Sequence, residues 1–322
     1  LFLKFGLVRG QFRSRSQKPF PAVISFLPQA RNGTSTHVGR SAQRPERNRD
    51  LITRIHIPTH PLSEFIDHFF YYSGYNSEHT VDRFLPDGEV QIIFDLTDYP
   101  KYIYDNETLK EIQSCQHVWF SGFRTEPISI PSGKESEMLI VQLKKGRAFP
   151  FLIEPMQNLT NIVVDAELVL SPRILSIRER LLEGCSPIKK FQILEEHLLK
   201  VYLKKFKENL FVDFAVSQII DAPNQCSIKT ISDKAGYSQK HIIKLFKEHV
   251  GVSPKEFLKV IRFQKAIQQI ENQISIDWSQ ISFDCGFYDQ SHFIADFKRF
   301  SGFTPSGYMK QRGDFLNYIP VK

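Results

Sequence analysis

Cysteine is scarce and scattered in this chain of 322 residues. Cys115, Cys185, Cys226 and Cys285 stand far apart and form no Cys-x-x-Cys pair. That spacing speaks against a disulfide framework and a structural zinc site, and it suits a reducing cytoplasm. Long apolar runs are missing too: stretches such as Ala22–Leu27 and Leu168–Leu170 fall far short of the ~18 residues that cross a bilayer, so no membrane span is expected. There is no G-x-S-x-G elbow, phosphate-binding P-loop or dinucleotide fingerprint, and no cofactor is expected. Acidic residues are nearly absent from residues 1–50, which hold ten Lys/Arg against two Asp/Glu.

The length suits two domains of about 100–200 residues. The net charge of +7 is unevenly spread. Residues 51–222 carry 18 Lys/Arg and 24 Asp/Glu, whereas residues 223–322 carry 14 and 9. A modest basic excess therefore sits at the C-terminal end. Residues 1–51 mix Arg, Ser, Gly and Pro, a composition that cannot bury a core; they read as a disordered basic extension, with a transit peptide as the alternative.

From Ile52 to about Val141 the pattern is largely strand-like. RFLPDGEVQIIFDL breaks at Pro86-Asp87-Gly88, a turn signal, and HVWFSGFRTEPISI and EMLIVQL are rich in β-branched and aromatic residues. One exception is PLSEFIDHFFYYS, where Leu62, Phe65, Ile66 and Phe69 recur at helical spacing. From Pro172 the period turns helical, and Ser186-Pro187 marks a helix start. The expected organisation is a sheet-rich α+β module over residues 52–170, a helical connector over 171–206, an all-α domain over 207–312, and a tail over 313–322.

The all-α part contains a duplication. SIKTISDKAGYSQKHIIKLFKEHVGVSP and DWSQISFDCGFYDQSHFIADFKRFSGFTP align with one inserted residue. Ile231, Gly236 and Tyr237 match Ile281, Gly286 and Phe287; His241, Phe246, Lys247, Gly251 and Pro254 match His292, Phe297, Lys298, Gly302 and Pro305. Each copy, about 227–251 and 277–302, encodes helix, tight turn, helix. Ser227 and Asp277 are the expected caps of the first helices, Ser238 and Asp289 of the second, and Gly236 and Gly286 supply the turn. Ile242, Leu245, Phe246, Phe293 and Phe297 are expected to face inward. The outward row is then Lys240, Ile243, Lys244 and Lys247 in one copy and Gln290, Ser291, Ile294, Ala295 and Lys298 in the other. Such a row suits the major groove, where amides read adenine, Lys reads guanine or phosphate, and apolar groups meet thymine methyls. Between the copies, Ser253, Pro254 and Glu256 start a long connecting helix.

Both motifs resemble, almost position by position over residues 207–312, those of the AraC/XylS family of bacterial transcription regulators. The resemblance implies seven helices with the connector as the middle one. It also implies base contacts from Lys240, Ile243 and Lys244 and from Gln290, Ser291 and Ile294. The chain departs from the family at Ser232 and Ser282, where Ala is usual, and at Ala295, where a longer polar residue is common. Residues 52–170 resemble, less specifically, the sheet-rich module ahead of such domains, which binds an effector or mediates dimerisation. The expected partners are double-stranded DNA, with a small-molecule effector, a second copy of the chain and, for an activator, RNA polymerase left open.

Other constellations point less far. His56, His60, His68 and His79 form no metal-ligand pattern around Pro58. Asp82, Asp87, Glu89 and Asp95 could be paired acid–base carboxylates, but solvated acids around a turn are the simpler expectation. Trp119, Phe120, Phe123 and Arg124 could line an effector pocket, with core packing the favoured reading. A catalytic sheet-rich domain carrying a DNA-binding appendage stays as the rival to a regulator, and a DNA-bending protein without an effector as a third reading.

Overall fold

The computed structural model describes residues 51–75, 80–133, 136–271, 276–313 and 317–321. The basic extension expected over residues 1–51 lies outside them except for Leu51, as does His79.

The first half is a two-layer β structure in which every strand pairing is antiparallel. One sheet runs in the order β1 (Ile52–His56), β2 (Ile66–Tyr75), β9 (Ser136–Leu143), β4 (Val90–Asp95), β7 (Val118–Ser121), β10 (Val163–Asp165). The other runs β11 (Tyr318–Val321), β3 (Val81–Phe84), β8 (Ile128–Pro131), β5 (Lys101–Tyr104), β6 (Glu111–Cys115). A short helix α1 (Ala166–Val169) closes this unit, followed by α2 (Ile174–Glu183) and α3 (Pro187–Tyr202).

The larger sheet is covered on both faces, which explains its apolar strands. Phe69, Ile92, Phe94, Phe120, Leu139 and Val141 are buried against the helical side, with Phe69 stacked at 6.2 Å on Phe191 of α3. The alternate residues face the second sheet. This double burial corrects the helical reading of PLSEFIDHFFYYS. Only Leu62–Glu64 forms a 3₁₀ turn, and Ile66–Tyr75 is a ten-residue strand. A strand that is apolar on both sides shows no clean alternation, so its residues also fit a helical period. The segment expected as a connector is likewise part of this unit. Arg178 of α2 donates to the carbonyls of Asp95 (2.7 Å) and Thr97 (2.9 Å), and Lys190 of α3 donates to that of Leu181 (2.8 Å).

The second half is all helical: α4 (Leu210–Asp221), α5 (Ile228–Ala235), α6 (Gln239–Val250), α7 (Pro254–Glu271), α8 (Trp278–Asp284), α9 (Gln290–Ser301) and α10 (Pro305–Gln311). Among the described residues these are seven helices with the connector α7 in the middle. At 18 residues α7 is about 27 Å long. Phe257, Val260, Ile261, Phe263, Ala266, Ile267 and Ile270 are all buried, making it the axis of the domain.

The expected C-terminal tail instead ends in a strand. β11 leaves the helical domain and pairs with β3, Tyr318 opposite Phe84 and Val321 opposite Val81. Pro320 is accommodated because β11 lies at the sheet edge. The two halves share one apolar core. Polar contacts join them as well: Arg147 Nε lies 2.6 Å from Asp213 Oδ1 of α4, and Thr160 Oγ1 donates to the Gly251 carbonyl at 2.8 Å.

Candidate nucleic-acid interface and inter-sheet cavity

Each hairpin is built as its sequence requires. Ser227 Oγ accepts from Thr230 N at the start of α5, and Thr230 Oγ1 accepts from Ser227 N, closing a reciprocal cap. Gly236 then turns the chain at φ +70°, and Ser238 caps α6 by accepting from His241 N. In the second copy Asp277 caps α8, Gly286 turns at φ +82°, and Asp289 accepts from His292 N at the start of α9. The serines that replace alanine find partners across the turn. Ser232 Oγ donates to the Tyr237 carbonyl at 2.5 Å and Ser282 Oγ to that of Asp289 at 3.2 Å, so each hydroxyl braces its hairpin.

The faces divide as the spacing predicts. Ile242 and Phe246 are buried in α6, and Phe293 and Phe297 in α9, while Leu245 is partly buried. Lys240, Lys244 and Lys247 are exposed on α6 with Ile243 half-covered, and Gln290, Ser291, Ile294, Ala295 and Lys298 are exposed on α9. Two charged residues near this face are engaged elsewhere. Arg299 pairs with Glu256 of α7 at 2.5 Å, and the buried Asp296 accepts from Lys259 of α7 at 2.9 Å. These bonds fix α9 on the connector. Tyr288, almost fully exposed between α8 and α9, went unnoticed in the sequence because no pattern sets it apart from the aromatic core residues around it.

A cavity of about 200 Å³ lies between the two sheets. Of the aromatic and basic group at residues 119–124, Trp119 and Arg124 line it, whereas Phe120 and Phe123 are buried on the helical side. The carboxylates expected to be solvated are not. Asp82 is buried and accepts from Tyr318 and Ser132, and Asp95 is buried with Thr97 as donor and Lys101 Nζ at 3.8 Å. Asp87 and Glu89 line the cavity. Burial, reinforced by the neighbouring Asp87, pushes the Glu89 carboxyl up to about 8, and burial also raises Asp87. Burial lowers the Arg124 guanidinium to about 10. Gln91 and Gln142 also line it, passed over in the sequence although polar residues at alternate positions of otherwise apolar strands are a signal, and so does His68, weighed there only as a metal ligand. His56 is occupied by Glu195, 3.1 Å away, and by stacking on Phe191. Among the described residues no group of three or more His, Cys, Asp or Glu could hold a metal ion, and no helix is long and apolar enough to cross a membrane.

Fold and site thus define a protein that joins a tandem helix-turn-helix domain to a β-sheet module with an internal cavity. The profile of a helix-turn-helix domain matches residues 231–311, and a domain of unknown function (DUF6597) matches residues 54–165. An uncharacterized HTH-type transcriptional regulator of Haemophilus influenzae is 31% identical over 98 residues, 30% of this chain and 32% of that protein. The HTH-type transcriptional activator RhaS of Escherichia fergusonii is 30% identical over 79 residues, 24% of this chain and 28% of that protein. The chain thus spans about a third of the length of the curated relatives it matches. A structure of ToxT from Vibrio cholerae is 12% identical, covering 81% of this chain and 98% of that one with a TM-score of 0.43. The C-terminal region is a helix-turn-helix domain.

Proposed function

We propose that the chain is a sequence-specific DNA-binding transcription regulator whose helices α6 and α9 read neighbouring major-groove segments. One observation carries this reading. Two helices at equivalent places in a duplicated unit both bury their aromatic residues and expose a row of lysine, amide and small apolar side chains over their first turns. Recognition helices of this class contact base edges through those N-terminal turns. In this reading Lys240, Ile243, Lys244, Gln290, Ser291 and Ile294 face base edges, and Lys247 and Lys298 neutralise phosphates. Gly236, Gly286, Phe246 and Phe297 hold the frame.

The β-sheet module acts in this reading as the regulatory part, taking a small effector in its cavity. The regulator rather than the enzyme reading agrees with relatives named as transcriptional regulators. A second copy of the chain and, for an activator, RNA polymerase are the further partners in this reading, and the cytoplasm is the compartment.

The test is selection of a binding site from random duplexes with the full chain, followed by titration of that site. Lys244→Ala and Gln290→Ala are each expected to weaken the selected site by about 1–3 kcal/mol, the worth of a bidentate base contact. Lys247→Ala is expected to weaken selected and random DNA alike and to lower the salt slope by about one. Undiminished binding by both Lys244→Ala and Gln290→Ala rules out these reading positions.

A further inference from the structure

The inter-sheet cavity has a graded lining set by strand register. His68, Gln142, Gln91 and Ser121 lie in one row across β2, β9, β4 and β7, with Gln91 Nε2 donating to Gln142 Oε1 at 2.9 Å. The next row is Phe70, Ile140, Ile93 and Trp119, and the facing sheet adds Phe84, Ile128 and Ile130. The cavity therefore has an apolar, aromatic body and a polar end where Asp87, Glu89 and Arg124 join the polar row; Asp82, bonded to Ser132 and Tyr318, and Lys101, beside Asp95 and Thr97, line it elsewhere.

Three buried side-chain atoms at that end have no hydrogen-bond partner: Glu89 Oε2, His68 Nε2 and Arg124 Nε. His68 Nδ1 donates to Asp67 Oδ2 at 2.7 Å, which leaves Nε2 as the ring atom without a partner. Buried polar atoms are rarely left orphaned, so these three atoms await a group that fills the cavity. The charges here are already matched. Burial keeps the Glu89 carboxyl neutral; Asp87 lies in the fields of Arg124 and of Lys145, whose Nζ donates to the Asp87 carbonyl at 2.8 Å, and Arg124 also feels Glu126. A charged head group would lose its hydration without finding a spare counter-charge. A neutral group that donates and accepts would satisfy all three orphaned atoms.

We propose that this cavity takes a small, mainly apolar ring compound with one neutral head group that both donates and accepts hydrogen bonds, a hydroxyl or a carboxamide, seated against Glu89, His68 and Arg124. The proposal rests on reading the β-sheet module as the effector-binding part of a regulator. The head group then sits beside the Asp87–Gly88 turn, where a Cβ on Gly88 would lie 3.7 Å from Val260 of α7, so occupancy is felt at the connector between the two hairpins.

The chain has two tryptophans, and Trp278→Phe leaves Trp119, in the cavity wall, as the fluorescent reporter. Four probes of similar size are titrated: 2-phenylethanol, 3-phenylpropanamide, 2-phenylethylamine and 3-phenylpropanoate. Saturable change in Trp119 emission is expected with the alcohol and the amide, with about tenfold or more weaker binding of the ammonium and carboxylate probes. Glu89→Gln, which keeps a neutral donor and acceptor, is expected to retain the alcohol, and Glu89→Leu to lose it. Thermal shifts of the unsubstituted chain repeat the comparison without relying on the Trp278 variant. Equal or tighter binding of a charged probe, or no binding of any of the four at millimolar concentration, overturns the proposal. Binding to the selected DNA site is measured in parallel: DNA binding without probe binding sinks the ligand class alone, and probe binding without DNA binding sinks the regulator reading alone.

Discussion

Gly251 and Gly302 end the two recognition helices at equivalent places in the repeat, yet the structure surrounds them differently. Both take positive φ, +101° and +81°. An added Cβ at Gly302 meets nothing within 4 Å, so Gly302→Ala costs only the backbone strain of a left-handed residue, about 1–2 kcal/mol. At Gly251 the same atom lies 2.9 Å from Thr160 Oγ1 and 3.2 Å from the Met156 carbonyl, inside the contact with the β-sheet module. The Thr160 hydroxyl that would have to move is the one bonded to the Gly251 carbonyl at 2.8 Å. Losing that bond adds about 0.5–1.5 kcal/mol. Gly251→Ala should therefore cost about 1.5–3.5 kcal/mol, more than its counterpart by a factor of about 2–13 in the folding equilibrium constant. Urea unfolding of the full chain with each substitution measures the difference at constant slope. Equal losses would show that the module does not rest on the end of α6, and the account of how the two halves meet would fail.

Further expectations concern single bonds and single charges. Gln264→Ala removes two bonds to Asn317, at 2.9 and 2.8 Å, and one to the Pro86 carbonyl. It should lower stability by about 1–3 kcal/mol, and hydrogen exchange should rise at Tyr318–Val321 first. Glu89 holds a proton in the folded chain up to about pH 8, while an ordinary glutamate sheds it near 4.5. The native state thus binds more protons between these values, and stability falls as pH rises through about 5 to 8. Glu89→Gln should flatten that slope in urea titrations across the same window; an unchanged slope would refute the burial of the carboxyl. Asp296→Ala strands Lys259, about a fifth exposed, and should loosen α9 from α7. The expected result is a stability loss of about 1–3 kcal/mol together with weaker binding at the half-site read by α9.

The helical half was legible because its signals are local. A cap, a turn glycine and an inward aromatic each act within a few residues, and duplication supplied every signal twice. Ser227, Gly236, Ser238 and Gly251 and their partners Asp277, Gly286, Asp289 and Gly302 occupy the roles their spacing assigned. The β half was legible only where one face of a strand differs from the other. β2 was misread because Phe69 and Tyr71 are buried toward the helices while His68, Phe70 and Tyr72 line the cavity. Asp82, Asp87, Glu89 and Asp95 looked solvated because a turn signal lies among them. What covers them is remote in sequence: Tyr318 reaches Asp82 from 236 residues away, and Lys145 meets Glu89. β11 had no signature at all, being four residues long and containing a proline.

The duplication also hid an asymmetry. Two copies with matching faces suggest two equivalent readers, but the β-sheet module rests on one of them. Phe149 packs on His249 at 4.3 Å, Thr160 holds Gly251, and Phe123 lies 5.8 Å from Phe257, all around the C-terminal end of α6 and the start of α7. α9 is held by Lys259 and by the edge-on contacts of Phe297 with Phe263 and Tyr308, within the helical domain itself. Lys240 and Lys244 lie toward the other end of the same helix, about two to three turns from that contact. A shift of the module would therefore tilt α6 directly and reach α9 through α7 or through α10, the element before β11. In the regulator reading, an effector then changes the half-site read by Lys240 and Lys244 more than the one read by Gln290. Operators altered in one half-site at a time would measure this, and an equal response at both would mean that the helical domain moves as one body.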